Sequence, residues 1–464
     1  MFFQQILRTD IGCAAYVVGS TNAGLAAVID PRIDMVEEIL DLLEREGLTL
    51  RYIVETHNHA DHVSGHHQLA AATGATIAVS ALAGVAYPHL PLHDGDELEL
   101  GEVVLRAIHT PGHRPEHIVI AVLDRSRSNE PWIVLTGDTL FVGDVARPDL
   151  AIDGIEGAAA LFDSLHQRIL QLPPGTLVFP GHVAGSLCGR VNNRMTGTSI
   201  GFEQRNNPAL QIRDRAAFVR FMNENLPERP PNLARIVELN RGAEPPRIGQ
   251  AVSLAPARVR ELQEQGAVIL DVRSPAAFAA SHIPGAISVA LDGGQFQNRV
   301  GLVVPPDRPL VLVVEREEEA LRAVQMLAVI GYDQVLGYLA GGMAAWERAG
   351  YPYRTLPLLT VHELARKLDE EPLLQLVDVR ERSEWIEGHI DGALHIPFYR
   401  LPRELAALDP KRPVVLVCGA GGRSVLAASL LQAVGFDHLW SVEGGMDAWR
   451  AAGYPVTRGT AVPV

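Results

Sequence analysis

The chain has 464 residues, 47% of them hydrophobic and 20% charged, a globular composition long enough for about three domains. Its 40 Lys and Arg against 55 Asp and Glu give a net charge of −15, which argues against a nucleic acid or an anionic membrane as partner. Neither a secretion signal nor a membrane span is predicted, because no run of about 18 apolar residues occurs. The widely spaced Cys13, Cys188 and Cys418 suggest no disulfide framework and predict a reducing cytoplasm.

The N-terminal residues predict the opening of an α/β domain. Strand-like pieces flank a turn at Gly19–Asn22, and Asp30-Pro31 leads into an amphipathic helix predicted to end near Gly47. The apolar run that starts at Cys13 predicts a small buried thiol there, without a functional role.

A dense group of polar side chains follows the apolar run Tyr52–Val54. Four residues of the next stretch carry groups that bind metals: His57, His59, Asp61 and His62. This density exceeds what a soluble surface needs, and the spacing is that of a metal-binding loop. We therefore predict a metal site here.

Three later segments repeat the same local context. In each, a short β-branched run ends in a candidate ligand beside a Gly or Pro that turns the chain, which is where sheets present catalytic groups. The ligands placed in this way are His113, Asp138 and His182. Because four segments share one context, scattered surface histidines are the weaker interpretation.

These motifs, T-H-x-H-x-D-H, T-P-G-H, T-G-D-T and a final P-G-H, resemble the ligand motifs of the metallo-β-lactamase superfamily. The resemblance covers about the first half of the chain and implies an αβ/βα sandwich. In families of this type an Arg at the place of Arg147, which follows the Asp138 loop, helps to hold a glutathione-like anion. Arg147 is therefore a candidate substrate contact, and a surface salt bridge is the alternative.

The second half of the chain contains an internal repeat. Residues 202–240 predict helices, and Gly242–Pro246 predicts a linker. Beyond it, D-V-R occurs at Asp271 and again at Asp378, and G-G-M-x-A-W also occurs once in each copy. Both copies resemble rhodanese domains in these motifs. We predict an α/β chain with a metallo-β-lactamase-like domain over residues 1–242 and rhodanese-like domains over 247–355 and 356–464.

The last copy carries a second candidate site. An apolar strand that ends at Val417 leads directly into a Gly-rich loop from Cys418 to Arg423. Backbone N–H groups and the positive end of the following helix favour thiolate over thiol, and Arg423 can hold an anion such as thiosulfate or sulfite. The C-x-x-G-x-R frame resembles active rhodaneses, so Cys418 is a candidate persulfide-carrying nucleophile.

The first rhodanese-like copy lacks this chemistry. The residue that corresponds to Cys418 in this copy is Val314. The loop that follows it, from Glu315 to Glu319, is acidic where an anion should bind. We predict that this copy is catalytically inactive and serves as a spacer or docking surface.

Cys188 lies six residues beyond His182. Here the sequence resembles bacterial fusions of a persulfide dioxygenase with rhodanese, which carry a Cys near the metal site. A sulfur relay and a buried spectator are both open for Cys188.

Two enzyme hypotheses share one ligand set. A binuclear zinc hydrolase of the glyoxalase II type uses a hydroxide on a thioester, with metals on His57, His59 and His113 and on Asp61, His62 and His182, bridged by Asp138. A persulfide dioxygenase has one Fe(II) per chain on His57, His113 and Asp138. In the second case His59, Asp61, His62 and His182 orient ligands and waters.

The fused domains favour the dioxygenase. A thioester hydrolase gains nothing obvious from a persulfide-handling Cys. Oxidation of glutathione persulfide, or a similar small persulfide, by O2 to thiol and sulfite yields a product that a rhodanese joins to sulfane sulfur as thiosulfate. A non-catalytic sulfide sensor or scaffold is the third hypothesis, but it requires neither site. We predict sulfide detoxification in the cytoplasm and a homo-oligomer.

Overall fold

The computed structural model describes residues 1–183, 195–224, 226, 228–245, 248–249 and 251–459. They form two compact units. The first holds the described residues of 1–247 together with Leu327–Tyr332, and the second holds those of 248–326 and 333–464. Within the described ranges, no helix combines the length and the apolar character needed to cross a bilayer.

The first unit opens with a six-stranded sheet whose strands follow the order of the chain. Its strands are β1 (Phe2–Arg8), β2 (Cys13–Ser20), β3 (Leu25–Ile29), β4 (Thr49–Glu55), β5 (Thr76–Ser80) and β6 (Leu90–Leu92). The first three pair antiparallel and the rest pair parallel. Helices α1 (Val36–Glu46) and α2 (His66–Thr73) join parallel strands. Gly47 ends α1 with a φ of 64°, as predicted.

A second sheet of the first unit has the order β14-β13-β10-β9-β8-β7. Its strands are β7 (Glu97–Leu100), β8 (Val103–His109), β9 (Ile118–Asp124), β10 (Ile133–Gly137), β13 (Leu177–Pro180) and β14 (Thr198–Ser199), and β11 (Leu140–Phe141) and β12 (Asp144–Val145) form a separate hairpin. The helices are α3 (Gly154–Gln167), α4 (Ile200–Asn206), α5 (Arg215–Asn223) and α6 (Leu233–Arg241). The predicted helical region 202–240 is thus confirmed for its described residues.

Alternation along the strands builds three cores. In β2, Ala15 and Val17 pack with α1 on one face, whereas Tyr16 and Val18 face the second sheet, because successive side chains of a strand point to opposite faces. A third core joins the second sheet to α3 and α5. The layers therefore run helix, sheet, sheet, helix, which confirms the predicted αβ/βα sandwich.

The second unit contains the two copies of the repeat, except for Leu327–Tyr332 of the first copy. The first copy consists of β15 (Ser253–Leu254), α7 (Pro256–Glu264), β16 (Val268–Asp271), α8 (Pro275–Ala280), β17 (Ile287–Ser288), α9 (Phe296–Val303), β18 (Leu310–Val313), α10 (Glu318–Val329), β19 (Val335–Leu339) and α11 (Gly342–Arg348). Its five strands form a parallel sheet of order β15-β19-β18-β16-β17.

The last copy repeats this plan. It consists of β20 (Leu358–Leu359), α12 (Val361–Glu370), β21 (Gln375–Asp378), α13 (Arg382–Glu387), β22 (Leu394–His395), β23 (Val414–Val417), α14 (Gly422–Ala433), β24 (Leu439–Val442) and α15 (Gly445–Ala451). The parallel order β20-β24-β23-β21-β22 corresponds strand by strand to the first copy. The internal repeat seen in the sequence is thus a repeat of topology.

Candidate functional site

Three of the predicted ligands, His57, His113 and Asp138, come together in the first unit, beyond the ends of β4, β8 and β10. Nε2 of His57 and Nε2 of His113 lie 4.0 and 3.5 Å from Oδ2 of Asp138, and the three ligand atoms lie within 4.8 Å of one another. All three residues are buried. Two imidazole nitrogens and one carboxylate oxygen at these separations can share one metal ion with bonds of about 2.0–2.2 Å.

Neighbouring groups fix which nitrogen of each imidazole faces the centre. The hydroxyl of Thr56 donates to Oδ2 of Asp30 at 2.8 Å, so its oxygen accepts from Nδ1 of His57 at 2.9 Å. Nδ1 of His113 donates to the carbonyl oxygen of Arg147 at 3.0 Å. Because Nδ1 carries the proton in both rings, each Nε2 presents a lone pair to the centre.

The surroundings keep the imidazoles neutral and the carboxylate ionised. Burial lowers the pKa of His57 well below its usual value, and the charge of His59 lowers it further. Burial lowers the pKa of His113 against the opposing charge of Asp138. Burial raises the pKa of Asp138, but the charge and hydrogen bond of His182 outweigh it and hold that pKa well below its usual range. Neutral imidazole and carboxylate are the metal-binding forms.

Two atoms of this group have no partner among the described residues. Nε2 of His57 and Oδ2 of Asp138 are buried and make no hydrogen bond within that part of the chain. Leaving a buried polar atom unsatisfied costs roughly 1–3 kcal/mol, and a metal ion between them satisfies both. The residues therefore fit a metal cofactor.

His182 connects Asp138 to a second cluster. Its Nδ1 lies 2.7 Å from Oδ1 of Asp138, and its Nε2 lies 2.7 Å from Oδ2 of Asp61. The same oxygen of Asp61 lies 3.2 Å from Nδ1 of His62. Both ring nitrogens of His182 are thus engaged by carboxylates. One of these carboxylates, Asp138, belongs to the triad of His57, His113 and Asp138.

His59, outside the triad, contacts the carboxylates of Asp30 and Glu55. Its Nε2 lies 3.1 Å from Oδ1 of Asp30 and 3.2 Å from Oε2 of Glu55. Burial lowers the pKa of His59, but Asp30 and Glu55 together raise it well above its usual value. The resulting positive charge compensates Asp30, which in turn orients Thr56 and, through it, His57.

Cys13 is buried, as predicted, but its neighbours give it a place that the sequence did not indicate. Its Sγ lies 3.4 Å from Oδ2 of Asp61 and 3.7 Å from both Nδ1 of His62 and Nε2 of His182. Burial and the charge of Asp61 raise the pKa of Cys13, and His62, Arg32 and His182 lower it by more. This thiol therefore belongs to the surroundings of the candidate metal site.

Two further predictions near the site concern Arg147 and Cys188. The guanidinium of Arg147 is buried and pairs with both carboxylate oxygens of Asp149, at 2.7 and 2.9 Å. The backbone carbonyl of Arg147 holds His113, a role that the sequence did not suggest. Cys188 lies outside the described residues.

The Cys418 loop lies between β23 and α14 in the second unit. The buried Sγ accepts from the backbone N–H of Gly421 at 3.1 Å and lies 3.4 Å from Oγ of Ser424. The carbonyl of Cys418 accepts from the N–H of Met446 at 2.7 Å. A Cβ at Gly445 would collide with that carbonyl, so the G-G-M motif brings the start of α15 against the loop.

Arg423, the predicted anion holder, is engaged by a carboxylate. Its two terminal nitrogens lie 2.6 and 2.7 Å from the carboxylate oxygens of Glu384. Burial lowers the pKa of Arg423, but Glu384 more than compensates and raises it. No sequence signal points to Glu384, which precedes Arg423 by 39 residues.

The sandwich and its buried group of ligand-type side chains beyond strand ends define a metal-dependent protein of the metallo-β-lactamase type. Residues 8–182 match the metallo-beta-lactamase superfamily, and residues 255–349 and 360–452 match the rhodanese-like domain. These matches confirm the predicted fold class and its order along the chain.

Comparison with individual proteins identifies relatives within this superfamily. Persulfide dioxygenase ETHE1, mitochondrial, of Homo sapiens is 31% identical over 46% of this chain and 77% of its own length. A hydroxyacylglutathione hydrolase of Rhodospirillum rubrum is 36% identical over 36% of this chain and 60% of its own length. The crystal structure of a metallo-beta-lactamase from Staphylococcus aureus subsp. aureus COL is 29% identical, with a TM-score of 0.64, and covers 73% of this chain and 98% of that one.

The chain belongs to the persulfide dioxygenase family of the metallo-β-lactamase superfamily, extended by two rhodanese-like domains. It is an enzyme with oxidoreductase and sulfurtransferase features, and its first domain has a metal cofactor.

Proposed function

We propose that the chain is an iron-dependent persulfide dioxygenase coupled to sulfur transfer at Cys418. A small persulfide, glutathione persulfide or a similar thiol carrier, is oxidised as RSSH + O2 + H2O → RSH + SO3²⁻ + 2H⁺. The rhodanese-like domains then form or use thiosulfate in sulfide detoxification. The observation that carries the proposal is the convergence of His57, His113 and Asp138, the one of three candidate metal groups among the described residues that consists of two histidines and one carboxylate.

The ligand chemistry supports iron. Two histidines and one carboxylate with open positions are typical of non-haem Fe(II) oxygenases, and iron bound there would supply the redox chemistry with O2. The chain's own residues orient this set. Thr56 and the carbonyl of Arg147 fix the two imidazoles, and His182 holds one oxygen of Asp138 so that the other faces the ligands. Burial of all three side chains limits access of bulk water.

The binuclear zinc hydrolase is the second candidate, favoured by the similarity to the hydroxyacylglutathione hydrolase. It requires Asp61, His62 and His182 to converge on a second metal. In the structure these three residues do lie together, because Oδ2 of Asp61 is 2.7 Å from Nε2 of His182 and 3.2 Å from Nδ1 of His62. The ligand set fits both candidates, and the rhodanese-like domains, from which a thioester hydrolase gains nothing obvious, favour the dioxygenase.

Sulfur transfer at Cys418 is a displacement between sulfur atoms. With thiosulfate as donor, the Cys418 thiolate attacks the sulfane sulfur. A bond forms between the two sulfurs, the S–S bond of thiosulfate breaks, and sulfite leaves with the electron pair. In the reverse direction, sulfite attacks the outer sulfur of the Cys418 persulfide and yields thiosulfate. The N–H of Gly421 lies where it can stabilise the thiolate, and the hydroxyl of Ser424 donates to the carbonyl oxygen of Gly421 at 2.9 Å.

Several sequence predictions stay part of this proposal. The boundaries 1–242, 247–355 and 356–464 are supported by the end of α6 at Arg241 and by rhodanese matches that begin at residues 255 and 360. A substrate contact at Arg147, a sulfur relay at Cys188, a cytoplasmic location and a homo-oligomer stay predictions.

Oxygen uptake by metal-quantified protein with glutathione persulfide tests the dioxygenase, with hydrolysis of S-lactoylglutathione measured on the same sample. We expect uptake to scale with iron content and to vanish in His113→Ala together with bound iron. His93→Ala is the matched control, because His93 is exposed and pairs only with Asp96 among the described residues. Hydrolysis that scales with zinc, without oxygen uptake, would establish the hydrolase instead.

A further inference from the structure

A cavity of about 440 Å³ opens beside Cys418, and both rhodanese-like copies form its wall. The last copy contributes Cys418, Gly422 and Arg423, and the Cys-less copy contributes Arg299 and Glu315, among others. The Cys-less copy is therefore part of the surroundings of the reactive thiol.

Hydrogen bonds link the Cys-less copy to α14, the helix whose first residues line this cavity. The N–H of Ser288 in β17 donates to Oγ of Ser429 in α14 at 3.1 Å. Nε2 of His282 lies 2.8 Å from Oε1 of Gln432, also in α14. Because α14 begins at the Cys418 loop, these contacts fix the Cys-less copy relative to the thiol.

Most charged residues of the cavity wall already have a partner of opposite charge. The pairs are Arg423 with Glu384, Arg273 with Asp271, Asp292 with Arg322 and Glu319 with Arg316. Within the described part of the chain, Arg299 has no carboxylate at ion-pair distance. Glu315 is exposed, and its Oε2 accepts a hydrogen bond from the backbone N–H of Ser274 at 3.4 Å. Among the described residues it forms no ion pair with a cation. Arg299 is thus the uncompensated cation of the wall.

The guanidinium of Arg299 lies close to the reactive loop. It is half-buried at the first turns of α9, and its Nη1 is 3.9 Å from the place of a Cβ at Gly422, the first residue of α14. Burial and the charge of Arg423 lower the pKa of Arg299, whereas Cys418 raises it. An arginine remains charged under such a shift, so the other copy places a positive charge in the wall of the cavity that Cys418 also lines.

We propose that Arg299 of the Cys-less copy binds the oxyanion end of the sulfur compound that reacts with Cys418. This inference rests on the proposed sulfur transfer and names its substrate class, a small sulfur oxyanion such as thiosulfate. The planar guanidinium donates paired hydrogen bonds to an oxyanion, and partial burial strengthens them. Arg423 is held by Glu384, so it supplies less net charge to the substrate.

The assignment changes the role predicted for the Cys-less copy. Its loop from Glu315 to Glu319 is acidic, and Val314 stands at the position that corresponds to Cys418. These two features suggested that the copy is a spacer or docking surface. The contribution comes instead from α9, which precedes β18 and carries none of the repeated motifs. The Cys-less copy is in this view one half of a shared site, and it supplies charge while the other half supplies the nucleophile.

A readout without turnover tests the anion site in the full chain. The rate of alkylation of Cys418 by anionic iodoacetate is divided by the rate with neutral iodoacetamide, and peptide mass spectrometry assigns both rates to Cys418. We expect this ratio to fall about 10-fold or more in Arg299→Gln, the loss of a hydrogen bond to a charged group. Arg299→Lys should retain part of the ratio, because it keeps the charge but cannot donate the paired hydrogen bonds. The exposed Arg258→Gln, in the same copy and paired with Glu261, should leave it unchanged.

Steady-state transfer from thiosulfate to cyanide gives the second readout. Arg299→Gln should raise the KM for thiosulfate about 10-fold with a smaller change in kcat, and Arg299→Lys, which keeps the charge, should raise it less. An unchanged ratio and an unchanged KM in a folded Arg299→Gln would overturn the inference. Equal losses in the Gln and Lys variants would overturn it too, because they would indicate a packing role.

The two proposals fail in different ways. If the wild-type chain does not transfer sulfur but the alkylation ratio still depends on Arg299, the anion site stands and the proposed transfer is wrong. If Arg299→Gln transfers sulfur with the wild-type KM and ratio, the transfer stands and the anion site is wrong. Oxygen uptake with glutathione persulfide, measured on each variant, should not change, since Arg299 lies in the second unit.

Discussion

The Cys-less copy and the Cys418 copy have sheets of the same strand order, and the same ion pair follows corresponding strands. Asp271 binds Arg273 after β16, and Asp378 binds Arg380 after β21, each with a shortest distance of 2.6 Å. Both carboxylates are fully buried. Because this ion pair occurs both in the copy with the nucleophile and in the copy without it, the pair is part of the scaffold. The repeated D-V-R motif therefore stabilises the fold.

The repeated histidines and tryptophans point the same way. His282 stacks on Phe278 with ring centroids 3.8 Å apart, and His389 stacks on Trp385 at 3.5 Å. Nε1 of the Trp in each G-G-M-x-A-W motif donates to a proline carbonyl six residues later, at 2.9 Å in both copies. These motifs identify the fold of a copy and say nothing about its activity.

The copies differ in the loop after the central strand. Cys418 occupies the position that Val314 occupies after β18, and Gly421 in its loop has a φ of 98°, with its N–H directed at the sulfur. No residue from Glu315 to Glu319 has a positive φ. The sulfur chemistry therefore depends on residues that differ between the two copies, whereas the shared residues maintain the fold.

Loss of the thiol should give the largest effect. Cys418→Ala is expected to reduce transfer from thiosulfate to cyanide by roughly 1,000-fold or more, because the sulfur acceptor is gone, while oxygen uptake with glutathione persulfide persists. Val314→Ala, the matched change in the other copy, should keep most of the transfer. Transfer that survives Cys418→Ala would move the reaction to Cys13 or Cys188.

Breaking the shared ion pair should destabilise both copies alike. Asp378→Asn and Asp271→Asn each leave a buried arginine without its carboxylate, and a loss of about 3 kcal/mol in the free energy of unfolding is expected for each. Denaturant titration of the full chain measures it. Asp292→Asn, which breaks an exposed pair with Arg322, should cost less than about 1 kcal/mol. A loss confined to Asp378→Asn would make that pair part of the sulfur site.

The same division explains what the sequence could predict. Strand periodicity and turn residues placed His57, His113 and Asp138 beyond strand ends, and the spacing of repeated motifs revealed two copies of one topology. Such signals are local. They describe neither which strand ends meet nor which distant side chains pair.

The features that were missed depend on long-range packing. Cys13 reaches His182 across 169 positions because β2 and the segment after β13 lie side by side, with an isolated bridge between Cys13 and His182. Arg299 approaches Gly422 because two copies share one cavity. Nothing near Cys13 or Arg299 in the chain distinguishes them from an ordinary buried thiol or a surface arginine.

A smaller effect is expected from the hydroxyl beside the thiol. Ser424 lies six residues after Cys418, and its oxygen is 3.4 Å from the sulfur. The corresponding residue of the Cys-less copy is Ala320. Ser424→Ala should lower kcat/KM for thiosulfate about 3- to 10-fold, because it removes the hydrogen bond to the carbonyl oxygen of Gly421, the residue whose N–H points at the sulfur. Ala320→Ser should change nothing, and an equal loss in both variants would indicate altered packing.

The smallest effect is expected from giving the Cys-less copy a thiol. In a Cys418→Ala background, Val314→Cys places sulfur at the equivalent position, but its loop has no glycine that directs an N–H at that sulfur, and α10 begins with Glu318 and Glu319. Negative charge at a helix N-terminus opposes a thiolate. No thiosulfate to cyanide transfer above that of Cys418→Ala alone should be measured. Restored transfer would show that the shared scaffold, and not the loop, decides which copy is active.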